Sequence, residues 1–329
     1  MGSTTSFLYR ASGLLIHADR PIAGLRPVAS AAEADLHLVM RGSVDAPRVR
    51  ETDAIWYASP HRDERGVPSV TIRRLGSDHL LCYSEGTQFL VNASGSRVDA
   101  WWNAPLTDVD AADYVLGGVL AFVSRLRGMV PLHASAVVIG GRAVLFAGAA
   151  GAGKSSTAAA FAILGVPVLA DDIVAMADAA DCVLAYPSHS RLSVWSDSAQ
   201  ELFAGRTLPT HSDAYLKHCV DLAEPGYCFH EEPVPIERIL ILSDRTPAGQ
   251  LPEIRTLTPQ AALVALVTHT YGNYLLDGSM RAREFHVLGR IAAGVGVDEI
   301  SIGDGLGDLV SSCRLLARDL ALQSAVQAT

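Results

Sequence analysis

The stretch from Val144 to Thr157, VLFAGAAGAGKSST, limits this chain more than any other. An apolar strand pattern leads into it and an alanine-rich helical pattern follows. A strand, a glycine-rich turn and a helix in that order commit the surrounding residues to a sheet covered by helices. The spacing G-x-x-x-x-G-K-S is also that of a phosphate-gripping loop. Gly148, Gly151 and Gly153 allow backbone angles that turn successive N–H groups inward around phosphate oxygens. The start of the helix adds its partial positive charge. Lys154 is expected to reach the β and γ phosphates of a nucleoside triphosphate, ATP foremost, and the Ser155 hydroxyl to ligate Mg²⁺. The expected nucleotide-binding set is Gly148, Ala149, Ala150, Gly151, Ala152, Gly153, Lys154, Ser155 and Ser156. Of 26 basic residues only Lys154 and Lys217 are lysines. A chance match in such a chain should occur on the order of once in several hundred.

The rest of the composition narrows the setting. Apolar residues make up 49% of the 329 and charged residues 19%, as in a globular protein. No apolar run approaches the roughly 20 residues that span a bilayer. The opening MGSTTSFLYR lacks the order of a signal peptide, although Gly2 fits a myristoylation pattern that needs a eukaryotic cell. Five scattered cysteines form no C-x-x-C pair, which speaks against structural zinc and a disulfide framework. A cytoplasmic home follows as the expectation. A formal charge of −9 leaves no electrostatic footprint for nucleic acid. Neither nucleic acid nor membrane is expected as a partner, and a homo-oligomer is left open.

The chain divides by pattern. Residues 1–107 read as a β-rich domain for structure or for binding a partner, with strands at Ala34 to Met40, Ala54 to Ala58, Ser69 to Arg74, His79 to Tyr83 and Gln88 to Asn92. Residues 108–129 carry early acids, apolar residues at helical spacing and late arginines, predicting one connecting helix. Residues 130–329 alternate strands and helices. Thr258-Pro259 opens a helix as N-cap and first-turn proline, expected to run to about Leu276.

Beyond the loop, VPVLADD ends a short apolar strand in Asp171-Asp172. Ligands of open α/β sheets bind beyond the carboxyl ends of strands. Successive strand side chains alternate in direction, so one aspartate is expected to hold metal and the other to meet an acceptor hydroxyl. His133, in Pro131-Leu132-His133-Ala134-Ser135, precedes the strand pair leading to the loop. Alone, a histidine there is more often structural. Lys217 reads as an exposed side chain with a solvated tip or as a phosphate contact. His211, His218, His230 and Glu231-Glu232 match no metal-ligand spacing and read as a loop.

Together LHAS, GAAGAGKSS, a helix ending in glycine and LADD resemble the bacterial HPr kinase/phosphorylase family over about Leu132 to Asp172. The resemblance implies an α/β fold: a P-loop kinase core of the HPr kinase and PEP carboxykinase type, after a smaller amino-terminal domain. It implies an ATP- and Mg²⁺-dependent kinase acting on a serine of a peptide or small protein. Asp172 would be the base, Lys154 would stabilise the transferring group, and His133 would orient phosphate. Ser155 would hold metal, with Asp171 beside it. Ser193 stands where the family carries a metal-binding Glu, with Asp197 as a substitute, and Arg191, Arg281 and Arg283 compete for its later catalytic arginine. With these departures the chain looks more like the divergent HPr-kinase-like proteins, a group that includes kinases tailoring lasso-peptide precursors at a serine. A small-molecule kinase and a nucleotide-sensing module without transfer are the alternatives.

Overall fold

A computed structural model describes residues 6–50, 53–212, 215–243, 245–247, 250–303 and 305–327. The chain is mixed α/β and folds as two compact units. One comprises Met1–Gly128 with Gly272–Met280, the other Met129–Tyr271 with Arg281–Thr329.

The first unit is built on eight strands: β1 (Phe7–Ala11), β2 (Leu14–Ala18), β3 (Leu36–Gly42), β4 (Ile55–Ala58), β5 (Val70–Leu75), β6 (Asp78–Tyr83), β7 (Gln88–Val91) and β8 (Arg97–Trp101). They form one sheet in the order β1-β2-β3-β8-β7-β6-β5-β4. β3 runs parallel to both β2 and β8. Strands β3 to β7 fall where the alternation predicts them, within two residues. The β1–β2 hairpin and β8 were not anticipated. The hairpin turns on Ser12-Gly13, both at positive φ (51° and 76°), a shape that matches the strands' own twist.

The helix expected over residues 108–129 is two helices, α1 (Asp108–Tyr114) and α2 (Leu120–Leu126), within the first unit. A wider π-type turn over Val115–Val119 separates them, and Gly117 there leaves helical angles (φ −91°, ψ −109°). The Gly117-Gly118 pair is the physical reason: without side chains it holds the regular helix least firmly. The start is firm. Thr107 Oγ1 accepts from the Asp110 amide at 3.4 Å and the Asp110 carboxylate accepts from the Thr107 amide at 2.8 Å. Phe122 and Val119 of this helical stretch share a core with Leu38, Met40 and Phe89 of the sheet.

The second unit comprises β9 (Val130–Ile139), β10 (Arg142–Ala147), α3 (Lys154–Ile163), β11 (Val168–Ala170), β12 (Ile173–Asp178), β13 (Val183–Tyr186), β14 (Arg191–Trp195), α4 (Ser196–Leu202), β15 (Thr210–Ser212), β16 (Tyr215–Asp221), β17 (Val234–Leu242), β18 (Glu253–Thr256), α5 (Pro259–His269), α6 (Gly278–Gly294), β19 (Gly296–Ser301) and α7 (Leu306–Gln327). The first turn of α6 counts with the first unit. Strand β9 changes partner along its length. Val130 to His133 pair with β12, and Ala134 to Ile139 pair with β10. Strand β17 pairs with β13 at its start and runs parallel to β10 beyond it. The pairings therefore close a circuit β10-β9-β12-β13-β17-β10.

Alternation along these strands sorts side chains into two cores. Ala134, Ala136 and Leu145 face Leu266 of α5 and Leu288 and Ile291 of α6. Val137, Val144 and Phe146 face Phe161 of α3 and Leu309 and Leu316 of α7. Phe146 and Phe161 lie with ring centroids 5.3 Å apart, and burying each stabilises by roughly 1.5–3 kcal/mol. Among the described residues no helix is long and apolar enough to cross a membrane.

Two expectations are corrected here. α5 ends at His269 rather than near Leu276: Thr270 is extended (φ −68°, ψ 138°), and Gly272 follows at φ 64° before a short 3₁₀ turn. Ending helices at a left-handed glycine is common because a Cβ resists that angle. The histidines 211 and 218 are not in a loop; they lie in β15 and β16, and only His230 with Glu231-Glu232 is outside regular structure. His218 is tied locally, its ring nitrogens 3.3 Å from Ser196 Oγ and from the Leu208 carbonyl.

Candidate functional site

The glycine-rich loop connects the end of β10 to α3, and three glycines shape it. Gly148, Gly151 and Gly153 all take positive φ (156°, 80° and 97°). A Cβ on Gly148 would stand 3.0 Å from the Leu242 carbonyl at the end of the neighbouring β17, so the tight approach of loop to strand requires glycine. Ala152 donates its amide to the Ala149 carbonyl at 3.2 Å, closing the loop on itself.

Lys154, the residue expected to reach the phosphates, is not at a solvated position. It is only 7% exposed. Its Nζ donates to the Gly148 and Ala149 carbonyls, both at 3.0 Å. Burial lowers its pKa, with the charges of Asp172 and Asp171 opposing the shift and Lys217 adding to it. Ser156 is turned inward to Ser198, oxygen to oxygen 2.8 Å.

The paired aspartates end β11 and open β12. Asp172 takes a left-handed backbone (φ 66°), rare for a side-chain-bearing residue though least so for Asp and Asn. That twist sends the two carboxylates to different environments. Asp171 is 2% exposed. It accepts from Ser135 Oγ at 2.6 Å, Ser155 Oγ at 2.9 Å and the Ser193 amide at 3.0 Å. The Asp172 side chain is 54% exposed, its Oδ1 3.4 Å from Nε2 of His133. Burial within the surrounding atoms opposes its ionisation. The His133 contact and the charges of His133, Lys217 and His189 outweigh that and hold the carboxyl below the usual carboxylate range.

The fold thus brings together Lys154, Ser155, Asp171, Asp172 and His133. Ser193 approaches through its backbone, because β14 runs along Asp171. Asp197 is exposed in the first turn of α4. Of the candidate arginines, Arg191 is half-buried at the start of β14, and Arg281 and Arg283 are exposed on α6.

Four further residues converge. Ser135 was within the LHAS run, but only the β9 register shows that it faces Asp171. Lys217 is not carried away from the site: half-buried on β16, it lies with Nζ 5.0 Å from the Trp195 ring centroid and acts electrostatically on both Asp172 and Lys154. His269, at the end of α5, has its pKa lowered by burial first and then by Lys154 and His133. Arg245 donates from Nη2 to the Ala152 carbonyl at 3.2 Å. A lone histidine or arginine on a distant segment gives no spacing signal. Only the folding of α5, β16 and the segment after β17 around the loop brings them near.

Among the described residues no three His, Cys, Asp or Glu side chains gather as an all-protein metal cage. Ser155 Oγ and Asp171 Oδ1 are hard oxygens in contact, a set suited to an ion that takes most ligands from phosphate and water.

No protein-family model and no curated protein sequence matches the chain. Among solved structures, one similar chain is the Hpr(Ser) kinase/phosphatase from Coxiella burnetii. It is 15% identical, over 60% of this chain and 94% of that one, with a TM-score of 0.35. So distant a likeness assigns no chemistry, which is left to the residues.

Proposed function

We propose that this chain is an ATP- and Mg²⁺-dependent kinase that moves the γ-phosphoryl group to a serine hydroxyl of a peptide or small protein. The observation that carries this reading is the division between adjacent aspartates beside a glycine loop. Asp171 is locked inward on Ser155, and Asp172 is half-exposed beside His133.

Loop amides and the start of α3 hold the phosphate tail. Ser155 and Asp171 would hold Mg²⁺, which would supply positive charge against the triphosphate. Lys154 exchanges its two loop carbonyls for phosphate oxygens, and Lys217 supplies a second ammonium on the acceptor side. The acceptor oxygen forms a bond to the γ-phosphorus as the bond to the β,γ-bridging oxygen breaks, releasing ADP. The hydroxyl proton passes to Asp172, whose lowered pKa keeps it ionised at neutral pH and which His133 orients.

The test uses γ-labelled ATP, Mg²⁺ and candidate peptides, proteins and metabolites. Label should reach a peptide serine and fall by roughly 100-fold or more in Asp172→Asn, with ATP still bound. Label reaching only a metabolite would make it a small-molecule kinase. Tight ATP binding without transfer to any acceptor would make it a sensing module.

A further inference from the structure

Arg245 lies three residues beyond the end of β17, the parallel neighbour of β10, and so at the same carboxyl edge as the glycine loop. Its exposed side chain reaches back over that loop. A Cβ on Gly153 would collide with Nη2, so the guanidinium occupies space that only glycine leaves open at that position. The same nitrogen is held by the Ala152 carbonyl.

We infer that Arg245 forms one wall of the nucleobase subsite, stacking its guanidinium plane on the base of the bound nucleotide. This rests on the nucleotide-binding reading above. The choice of base over phosphate follows from burial. Lys154, also held by loop carbonyls, is 7% exposed within the loop whose N–H groups would grip phosphate. Arg245 is exposed on the Ala152 carbonyl and so stands on the outer rim. A guanidinium is planar, weakly hydrated and stacks well on aromatic faces. Fixed at one nitrogen, it offers a flat cationic face where the purine leaves the phosphate cradle.

The full-length protein, wild type and Arg245→Ala, is titrated calorimetrically with ATP and with inorganic tripolyphosphate, each with Mg²⁺. Arg245→Ala should weaken ATP by roughly threefold to thirtyfold and leave tripolyphosphate within about twofold. Arg245→Lys, which keeps the charge and loses the plane, should resemble the alanine variant. An unchanged ATP affinity overturns the inference. So does an equal loss for ATP and tripolyphosphate, or full rescue by lysine, since either makes Arg245 a phosphate contact. A wild-type protein that binds neither ligand sinks the nucleotide reading itself, a distinct result. Equal urea midpoints for the three proteins separate these outcomes from a folding defect.

Discussion

Asp171 is the side chain on which the second unit's polar interior converges, and its removal gives the sharpest test of the site. Three donors meet it: two serine hydroxyls at 2.6 and 2.9 Å and the Ser193 amide at 3.0 Å. Hydrogen bonds to a charged acceptor contribute roughly 1.5–3 kcal/mol each, about 4.5–9 kcal/mol together. Deleting the carboxylate also relieves a desolvation cost of several kcal/mol. The hydroxyls of Ser135 and Ser155 can rotate to other acceptors, but the Ser193 amide is fixed by its strand. Asp171→Ala should therefore destabilise by about 2–4 kcal/mol. Asp171→Asn keeps one oxygen for the Ser193 amide and turns its NH₂ to the serines, so it should cost about 1–2 kcal/mol. Trp195, two residues from Ser193, reports this region. The other three tryptophans, Trp56, Trp101 and Trp102, belong to the first unit and can be changed to Phe. Urea unfolding followed by Trp195 emission should place the midpoints in the order wild type, Asn, Ala, with similar slopes. An alanine variant as stable as wild type, or an Asn variant less stable than Ala, would refute the three-donor account.

Other outcomes follow from the same geometry. Lys154→Met should abolish Mg·ATP binding in calorimetry yet change stability by only about 1 kcal/mol, because lost bonds to two loop carbonyls are offset by relief of a buried ammonium. His269 holds its neutral form because burial, Lys154 and His133 depress its pKa below the ordinary 6.5. Below that value the unfolded chain binds a proton that folded His269 resists, so stability falls as pH drops. His269→Gln should lose less of its urea midpoint than wild type between about pH 7 and about pH 5. Thr258 Oγ1 accepts from the Ala261 amide at 3.3 Å. Thr258→Ala should cost about 1 kcal/mol by thermal or urea unfolding.

What could be read from residue order alone was local. The glycine loop, its flanking strand and helix, the Asp171-Asp172 pair and most alternating strands are short-range patterns. Their period or turn chemistry is visible within ten residues. The N-cap at Thr258 was equally legible, whereas the end of α5 was not, because the alanine-rich helical pattern hides where Thr270 turns extended. Strand β14 alternates, with Leu192 and Val194 entering the α3 core beside Val220 of β16, but its short run does not say which strand it pairs with. Arg245 reaches the loop through a hydrogen bond spanning 93 residues, and Lys217 and His269 come within electrostatic reach of Lys154, none of which periodicity encodes. The burial of Lys154 was hidden for another reason: its carbonyl partners are main-chain atoms, which every sequence possesses.

The nine residues Gly272–Met280 leave one compact unit, join the other and return. Leu275 is 5% exposed in the first unit's core, and Tyr274 stacks on Tyr57 with centroids 4.0 Å apart. A polypeptide stitched in this way crosses its own boundary three times. Severing it after Gly128 therefore liberates neither half cleanly: the front piece lacks a structural plug, and the rear piece carries a greasy excursion with nowhere to go. Evolution by simple shuffling of the two halves would meet the same obstacle.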